Sequence, residues 1–302
     1  MDTQNISQCP EVSVKCFLLS RFHSLSNRQD ACEAKAEFSS GTGILPVLEK
    51  SAVFQLNRAK DGARVLYVSA IALKLAKTWQ QTPQDLAAQL AATLEPLCSP
   101  NFAVKAAPAG FIELELTDAG LGFWLQHLAQ TKLPVPESRI LSPVVSADRL
   151  FPIQYSHARC CSLLRMAHRE RLISIAQPDV ATAPQIWSLL VPNPIPWLDS
   201  GDQLRLVHPA ERSLISQLIT VLDNLAPAIA NCSREKPVNY LKLADNLSAA
   251  FQTFYSQCRI WGEVKIETPK LAQARLGLVL ATQSLLRFIL EKLLSAVAPL
   301  EL

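Results

Sequence analysis

Four basic side chains lie close together near the end of one predicted helix. Arg165 and Arg169 are four residues apart, and His168 and Arg171 are three apart, so they form a basic face interrupted only by Glu170. Cationic side chains in this arrangement can contact the phosphates of a nucleic acid. They can also complement the negative end of the helix dipole. The spacing leaves both interpretations open.

A second cluster combines aromatic and cationic side chains near the end of a later predicted helix. Tyr255 and Arg259 are four residues apart and suit stacking on an unpaired base. Phe254 lies beside them, and for this residue core packing is the favoured interpretation. For Tyr255 and Arg259 a surface role and a packing role both remain open.

The sequence does not predict a catalytic site, a metal site or a bound cofactor. The eight cysteines lack paired metal-ligand spacing, and adjacent Cys160 and Cys161 would point to different faces of a helix. Buried thiols in that position are usually inert small apolar groups. Neither a secretory signal nor a membrane-spanning apolar run is readable, so we expect a cytoplasmic protein with free thiols.

Composition and charge indicate a folded protein, and the modest net charge weakens the case for tight nucleic-acid binding. Hydrophobic residues make up 49% of the chain and charged residues 18%, which argues against disorder. The net charge of +3 lies in residues 151–302, whereas residues 1–150 are electroneutral. An autonomous nucleic-acid binder is usually more basic than this.

The first half predicts a small α+β domain over residues 41–130. Residues 67–79 have helical periodicity, and Thr82 with Asp85 forms a capping box that begins a second helix. Residues 110–116 alternate between apolar and acidic side chains, which is typical of a half-exposed strand. Residues 1–40 stay unassigned apart from a helical pattern over 12–25, and an edge strand or loop is expected at 43–48.

The second half predicts an all-α bundle over residues 151–302, joined to the first domain by a proline-containing linker at 131–150. Apolar side chains recur at three-and-four spacing in several long segments, which indicates antiparallel helices. These segments are 153–175, 210–225, 240–260 and 271–297.

Several motifs of the second half resemble the anticodon-binding domain of arginyl-tRNA synthetases. Residues 151–165, FPIQYSHARCCSLLR, are similar to the QYAHAR helix that opens that domain. Residues 240–260 resemble its helix that ends in Phe-x-x-Phe-Tyr-x-x-Cys-Arg. Residues 273–302 resemble its last helix and tail. The first half resembles the same enzymes' N-terminal tRNA-contacting domain at 67–77, 82–87 and 107–116, although Ala109 and Glu113 depart from the family's pattern.

The resemblance implies an RNA-binding role for particular side chains. Gln154, Tyr155, His157 and Arg159 would line the anticodon pocket, although buried polar groups usually make structural hydrogen bonds, which is the interpretation we favour. The predicted nucleic-acid-binding residues are Gln154, Tyr155, His157, Arg159, Arg165, Arg169, Arg171, Tyr255, Arg259 and Leu302. Asp61, Arg64 and Tyr67 fall where the family contacts the tRNA elbow, but we favour exposed loop residues there.

The resemblance leaves out the catalytic domain that lies between these two domains in the synthetases. Leu116 and Phe151 are separated by far fewer residues than a nucleotide-binding α/β domain needs, and no His-x-Gly-His signature occurs. We therefore expect a non-catalytic paralogue that binds tRNA, with arginine tRNA as the candidate. Two alternatives stay open: a protein-interaction module that reuses the fold, and a trans-acting subunit of a synthetase assembly.

Overall fold

The computed structural model describes residues 13–19, 55–59, 64–130, 133, 145–176, 187–229 and 238–302. Of the helical pattern predicted over 12–25, residues 14–19 are helical. The edge strand or loop expected at 43–48, Asp61 and most of the 131–150 linker lie outside the described residues. Within the described residues, the α+β domain followed by a helical domain is confirmed.

The N-terminal domain is a four-stranded antiparallel sheet with helices packed against it. The strands are β1 (Leu56–Arg58), β2 (Leu66–Ser69), β3 (Phe102–Ala106) and β4 (Ile112–Leu116), in the order β1-β2-β4-β3. The alternation predicted for β4 is confirmed, because Ile112, Leu114 and Leu116 are buried and the intervening glutamates are not. The burial of alternate side chains fixes the register, in which Leu114 lies opposite Tyr67 on one side and Val104 on the other.

The helices of this domain are α1 (Ile71–Trp79), α2 (Pro83–Cys98) and α3 (Asp118–Gln130). The predicted cap of α2 is confirmed, since Thr82 Oγ1 accepts a hydrogen bond from the Asp85 backbone N–H at 3.2 Å. The prediction of a helix from residue 67 was wrong. Residues 66–69 form β2, and Tyr67 pairs with β4 in the sheet while its side chain is fully buried.

The C-terminal domain is built from long helices, as predicted, with differences at their ends. They are α4 (Ala147–Arg169), α5 (Pro209–Ile229), α6 (Tyr240–Gln257), the short α7 (Glu263–Glu267) and α8 (Pro269–Phe288), which continues as a π-helical turn, Ile289–Leu293. α4 begins inside the predicted linker and ends before residue 175. Residues 174–176 instead form strand β5 (Ser174–Ala176), which pairs with β6 (Ser188–Val191).

The predicted last helix, 271–297, ends early. Its helical hydrogen bonding stops at Leu293, and Ser295 has a positive φ of 51°. From residue 294 onwards the chain turns back across α4 instead of extending from the end of the bundle. This difference shapes the candidate site.

The two domains share one continuous apolar core and two polar contacts. At the first contact, Tyr67 Oη donates to Asp223 of α5 at 2.5 Å, and Ser13 Oγ donates to the same carboxylate at 2.7 Å. Arg58 of β1 donates to Ser216 and Thr220 of α5, both at 2.8 Å. We call these six side chains the polar junction.

At the second contact, α3 packs on the C-terminal domain. Asp118 accepts from the Leu204 backbone N–H at 2.9 Å and pairs with Arg212 at 3.0 Å. Gln126 Oε1 accepts from the Trp197 indole N–H at 3.0 Å, which fixes that ring against Gly277 of α8. The N-terminal domain thus contacts α5 and the 195–204 loop through these hydrogen bonds, and α3 also packs directly on α8.

Candidate nucleic-acid interface

One face of α4 lines a pocket of about 640 Å³. Side chains at positions 155, 159, 162, 165 and 169 recur every three or four residues and therefore share that face of the helix. The opposite face of α4 is buried in the bundle, which fixes the helix in place. We call this the α4 pocket; it is lined by Tyr155, Ala158, Arg159, Ser162, Arg165, His168, Arg169, Leu300, Glu301 and Leu302.

Three arginines make the α4 pocket cationic, and each lies in a different environment. Arg159 lies over the Tyr255 ring, with its guanidinium carbon 4.7 Å from the ring centroid, and it also donates to the Tyr255 hydroxyl. Arg165 donates to the Leu300 carbonyl at 3.2 Å and pairs with the Glu301 carboxylate at 3.0 Å. Arg169 is exposed at the end of the helix. The predicted pairing of Arg165 with Arg169 on one face is therefore seen in the structure.

The remaining basic residues of the predicted patch are placed differently. His168 lines the pocket, and its Nδ1 accepts a hydrogen bond from the Ile175 backbone N–H at 3.3 Å, so this nitrogen carries no proton in that arrangement. Arg171 lies beyond the helix in a left-handed conformation with φ of 56° and does not line the pocket. Glu170, which interrupts the patch in sequence, pairs with Lys265 at 2.7 Å.

Two of the predicted RNA-contacting side chains hold another part of the chain. Gln154 donates to the Val297 carbonyl at 2.9 Å. The fully buried His157 shares a hydrogen bond with the Pro299 carbonyl through Nδ1 at 2.8 Å, and its Nε2 lies 3.0 Å from the Gln283 amide nitrogen. Burial lowers the pKa of His157 below its usual value of 6.5. A neutral imidazole that donates through Nδ1 and accepts through Nε2 fits both partners, which favours the structural interpretation.

The residues of the predicted cluster near the end of α6 also lie in different environments. Phe254 is fully buried, as expected for core packing. Tyr255 is partly buried between Phe251, whose ring centroid is 6.2 Å away, and Arg159. Arg259 is exposed, and its carbonyl accepts a hydrogen bond from the buried Arg275. The structure therefore brings Tyr255 together with Arg159 beside the pocket but leaves Arg259 outside the pocket lining.

Several residues in or beside the pocket were not predicted from the sequence, among them Phe151, Ser162 and Glu301. Phe151 is 56% exposed and stacks on Tyr155, with ring centroids 6.4 Å apart. Their four-residue spacing on α4 was a readable signal for this aromatic pair. Ser162 carried no such signal. Glu301 could not be assigned either, because only the turn after residue 293 brings it to Arg165.

The sequence-predicted tRNA-elbow positions do not form a site in the described residues. Tyr67 is fully buried in the polar junction, so it is not an exposed loop residue. Arg64 lies near Glu115 at 3.8 Å and is largely exposed. Asp61 lies outside the described residues.

Cys160 and Cys161 behave as small apolar side chains. Cys160 is buried, and burial raises the pKa of its thiol well above the ordinary value. Burial also raises the pKa of Cys161 to about 12. Among the residues that the structure describes, no cluster of three or more His, Cys, Asp or Glu could hold a metal ion. None of the described helices is long and apolar enough to cross a membrane.

Comparison with protein families identifies the domain that carries the α4 pocket. A family model described as the DALR anticodon binding domain matches residues 153–299. The arginine-lined pocket thus lies in a region that is similar to an anticodon-binding domain. A second family model, described as the arginyl tRNA synthetase N terminal domain, matches residues 42–116. The chain is therefore arginyl-tRNA synthetase-like.

Curated relatives are arginine–tRNA ligases that match about half of this chain. The ligase of Synechococcus sp. (strain JA-3-3Ab) is 33% identical over 147 residues, which is 49% of this chain and 21% of the ligase. The ligase of Pelodictyon phaeoclathratiforme is 36% identical over 138 residues, 46% of this chain and 20% of the ligase. That of Moorella thermoacetica is 34% identical over 156 residues, 51% of this chain and 22% of the ligase. The chain thus spans about a fifth of the length of these relatives. No solved structure matches the chain.

Proposed function

We propose that this chain binds tRNA by its anticodon stem-loop at the α4 pocket and does not aminoacylate it. The observation that carries the proposal is the grouping of Arg159, Arg165 and Arg169 around one pocket in the region that matches a DALR anticodon binding domain. Arginine tRNA is the candidate RNA, because the curated relatives are arginine–tRNA ligases.

The chemistry of the pocket suits an unpaired nucleotide. Arginine is the side chain best matched to phosphate oxygens, because its planar guanidinium can donate two parallel hydrogen bonds. Anticodon-loop bases are unpaired, and bases of this kind stack on exposed aromatic rings. The Phe151–Tyr155 pair offers such rings, since these side chains are 56% and 44% exposed. Phosphate and base contacts are therefore available along about five turns of one helix.

The non-catalytic part of the proposal rests on the length of chain between the two matched domains. Only residues 117–152 lie between them, and in the described part of this stretch α3 and the start of α4 pack on the two domains themselves. A doubly wound nucleotide-binding domain needs roughly a hundred residues or more. Without one, no group of this chain would align ATP, arginine and the tRNA end.

The modest net charge calls for a second source of affinity. Two weak sites on one rigid body raise the effective concentration of the second site after the first has bound. The direct contacts between the two domains hold them in one relative arrangement, so a contact made by the first domain would act on the same RNA as the α4 pocket. The positions predicted to contact the tRNA elbow do not form such a site in the described residues, so the α4 pocket alone supports the proposal.

A salt titration of tRNA binding tests the RNA-binding part. We expect the affinity of the full chain for unfractionated bacterial tRNA to fall steeply with rising salt, because phosphate contacts release counterions. The double variant Arg165→Ala/Arg169→Ala should bind more weakly and flatten the log–log salt slope by roughly one to two units. The matched control Lys242→Ala/Lys270→Ala removes two exposed charges away from the pocket and should keep the wild-type slope. Equal slopes in all three proteins would contradict the proposal.

A charging assay tests the non-catalytic part. Incubation of the chain with ATP, arginine and tRNA should yield no aminoacyl-tRNA. Arginine-dependent exchange of pyrophosphate into ATP should also be absent, because that reaction reports activation of the amino acid without tRNA transfer. Robust product in either assay would overturn this part of the proposal while leaving tRNA binding intact.

A protein-interaction module is the second candidate function. It is favoured by the use of Gln154 and His157 to hold residues 297–299, and by the exposed Leu190 and Val191 on β6. These two functions differ in one simple measurement. No detectable tRNA binding at low salt would favour the protein partner.

A further inference from the structure

Residues 297–301 cross the face of α4 and are held there mainly through their backbone. The Val297 and Pro299 carbonyls interact with Gln154 and His157, at 2.9 and 2.8 Å. The Leu300 carbonyl accepts from Arg165 at 3.2 Å. These three contacts use main-chain oxygens, and the side chains of Ala298 and Leu300 also pack against the apolar core.

Glu301 adds a contact of a different kind. Its carboxylate lies 3.0 Å from Arg165 Nη2 at the wall of the α4 pocket, and it is the one acidic side chain among the residues that line this pocket. The pocket wall therefore carries three arginines and one internal counter-charge. Displacing that carboxylate would leave the Arg165 guanidinium available to an anionic ligand.

The Arg165–Glu301 pair can be exchanged for another anion. The Glu301 side chain is 80% exposed and that of Arg165 is 26% exposed, so the carboxylate stays hydrated and the pair contributes little to stability. Carboxylate and phosphate oxygens bind the guanidinium fork with the same geometry. A ligand phosphate could thus take the carboxylate's position without disturbing the backbone contacts of residues 297–300.

We infer that the Glu301 carboxylate occupies a phosphate site of the α4 pocket and competes with the phosphate of a ligand for Arg165. This inference rests on the proposed function for the identity of the ligand, an RNA phosphate, but the site itself is defined by Arg165 and Glu301 alone. Glu301 therefore weakens the binding of a ligand that makes only a single phosphate contact. A ligand that also contacts Arg169 and the Phe151–Tyr155 pair binds despite this competition.

The inference is tested with inorganic pyrophosphate on the full chain, observed through the side-chain ¹⁵N signal of Arg165. We expect Glu301→Gln to bind pyrophosphate about threefold more tightly than the wild type. Glu267→Gln changes the net charge equally at an exposed position of α7 and should bind as the wild type does. In an Arg165→Gln background the Glu301→Gln change should no longer alter the affinity for pyrophosphate, because the two residues act on one site. This affinity is measured by calorimetry, since the variant lacks the Arg165 signal.

Equal pyrophosphate affinity of Glu301→Gln and the wild type would overturn the inference. So would an equal gain in Glu267→Gln, which would indicate a general charge effect. Binding of tRNA by the wild type, measured in the same buffer, reports separately on the proposed function. A pyrophosphate response without tRNA binding would remove the proposed function and keep the phosphate site. If the wild type binds tRNA but has the same pyrophosphate affinity as Glu301→Gln, the proposed function is kept and the inferred phosphate site is removed.

Discussion

The polar junction and the α4 pocket use the same kinds of side chain in opposite ways. In the junction, buried Tyr67 and Ser13 donate to one Asp223 carboxylate, and Arg58 donates to two hydroxyls of α5. In the pocket, Tyr155 is 44% exposed, and Arg165 contacts a carboxylate that is 80% exposed. An arginine, a tyrosine and a carboxylate are therefore structural in one region and accessible in the other.

The two regions differ in whether water can replace a hydrogen-bonding partner that is removed. Removing an acceptor from the junction leaves buried donors without a partner, and such groups cost the full desolvation penalty. Removing a partner from the pocket rim exposes the remaining group to water or to a ligand, at little cost. The junction should therefore respond to substitution in stability, and the pocket should respond in binding.

Loss of the Asp223 carboxylate should produce the largest effect. In Asp223→Ala the Tyr67 hydroxyl, the Ser13 hydroxyl and the Lys15 backbone N–H lose their shared acceptor. We expect the free energy of unfolding to fall by about 2–4 kcal/mol in urea denaturation. The exposed control Glu267→Ala should change it by less than about 0.5 kcal/mol. A loss in Asp223→Ala no greater than in the control would contradict a structural junction.

Closing the space beside Trp197 should have the next largest effect. A Cβ at Gly277 would overlap the Trp197 ring, which the hydrogen bond from its indole N–H to Gln126 holds in place. Gly277→Ala should therefore lower the free energy of unfolding by about 2 kcal/mol. Gly201→Ala is the matched control, because a Cβ there meets only Asp199 Oδ1, at 3.4 Å. Equal stability of the two variants would mean that the Trp197 ring is not tightly packed against α8.

Loss of the exposed ring of Tyr155 should weaken tRNA binding without lowering stability. Base stacking on an aromatic side chain contributes about 1–3 kcal/mol, so Tyr155→Leu should bind tRNA about tenfold more weakly. The control Phe123→Leu removes an aromatic ring of α3 that is as exposed as the ring of Phe151. This variant should bind tRNA as the wild type does. If both variants bind equally, the aromatic pair does not contact RNA.

The smallest effect concerns pH. Burial lowers the folded-state pKa of His157 below 6.5, so the unfolded chain binds a proton there at a pH at which the folded chain does not. The stability that this group contributes is complete above 6.5 and decreases as the pH falls from 6.5 towards the lowered pKa. Urea denaturation across this range should show a weaker pH dependence in His157→Gln than in the wild type. Identical pH profiles would show that His157 does not hold residues 297–301 in its neutral form.

The elements that the sequence predicted well are those whose burial is periodic. Leu114 alternates with glutamates along β4, and α4 carries its arginines at three-and-four spacing, so face and element follow from the order of residue types. Tyr67 shows where this fails. The segment 66–69 borders an apolar helix, and only its pairing with β4 makes it a strand, which is a tertiary effect.

The candidate site was predictable only in part for the same reason. Arg165, Arg169 and Tyr155 share one helical face, and their proximity follows from local geometry. Other contacts depend on how the chain turns after Leu293. They are the hydrogen bonds of Gln154 and His157 with the 297–299 backbone and the pairing of Glu301 with Arg165. Contacts between residues more than a hundred positions apart are not encoded in any local pattern.

Competition between two halves of one tRNA tests the central claim most directly. The full chain is bound to a labelled arginine tRNA, and either its isolated anticodon stem-loop or its isolated acceptor minihelix is added as competitor. We predict that the anticodon stem-loop displaces the tRNA and that the minihelix, at the same concentration and salt, does not. Displacement by the minihelix alone, or by neither fragment, would contradict binding of the anticodon stem-loop at the α4 pocket.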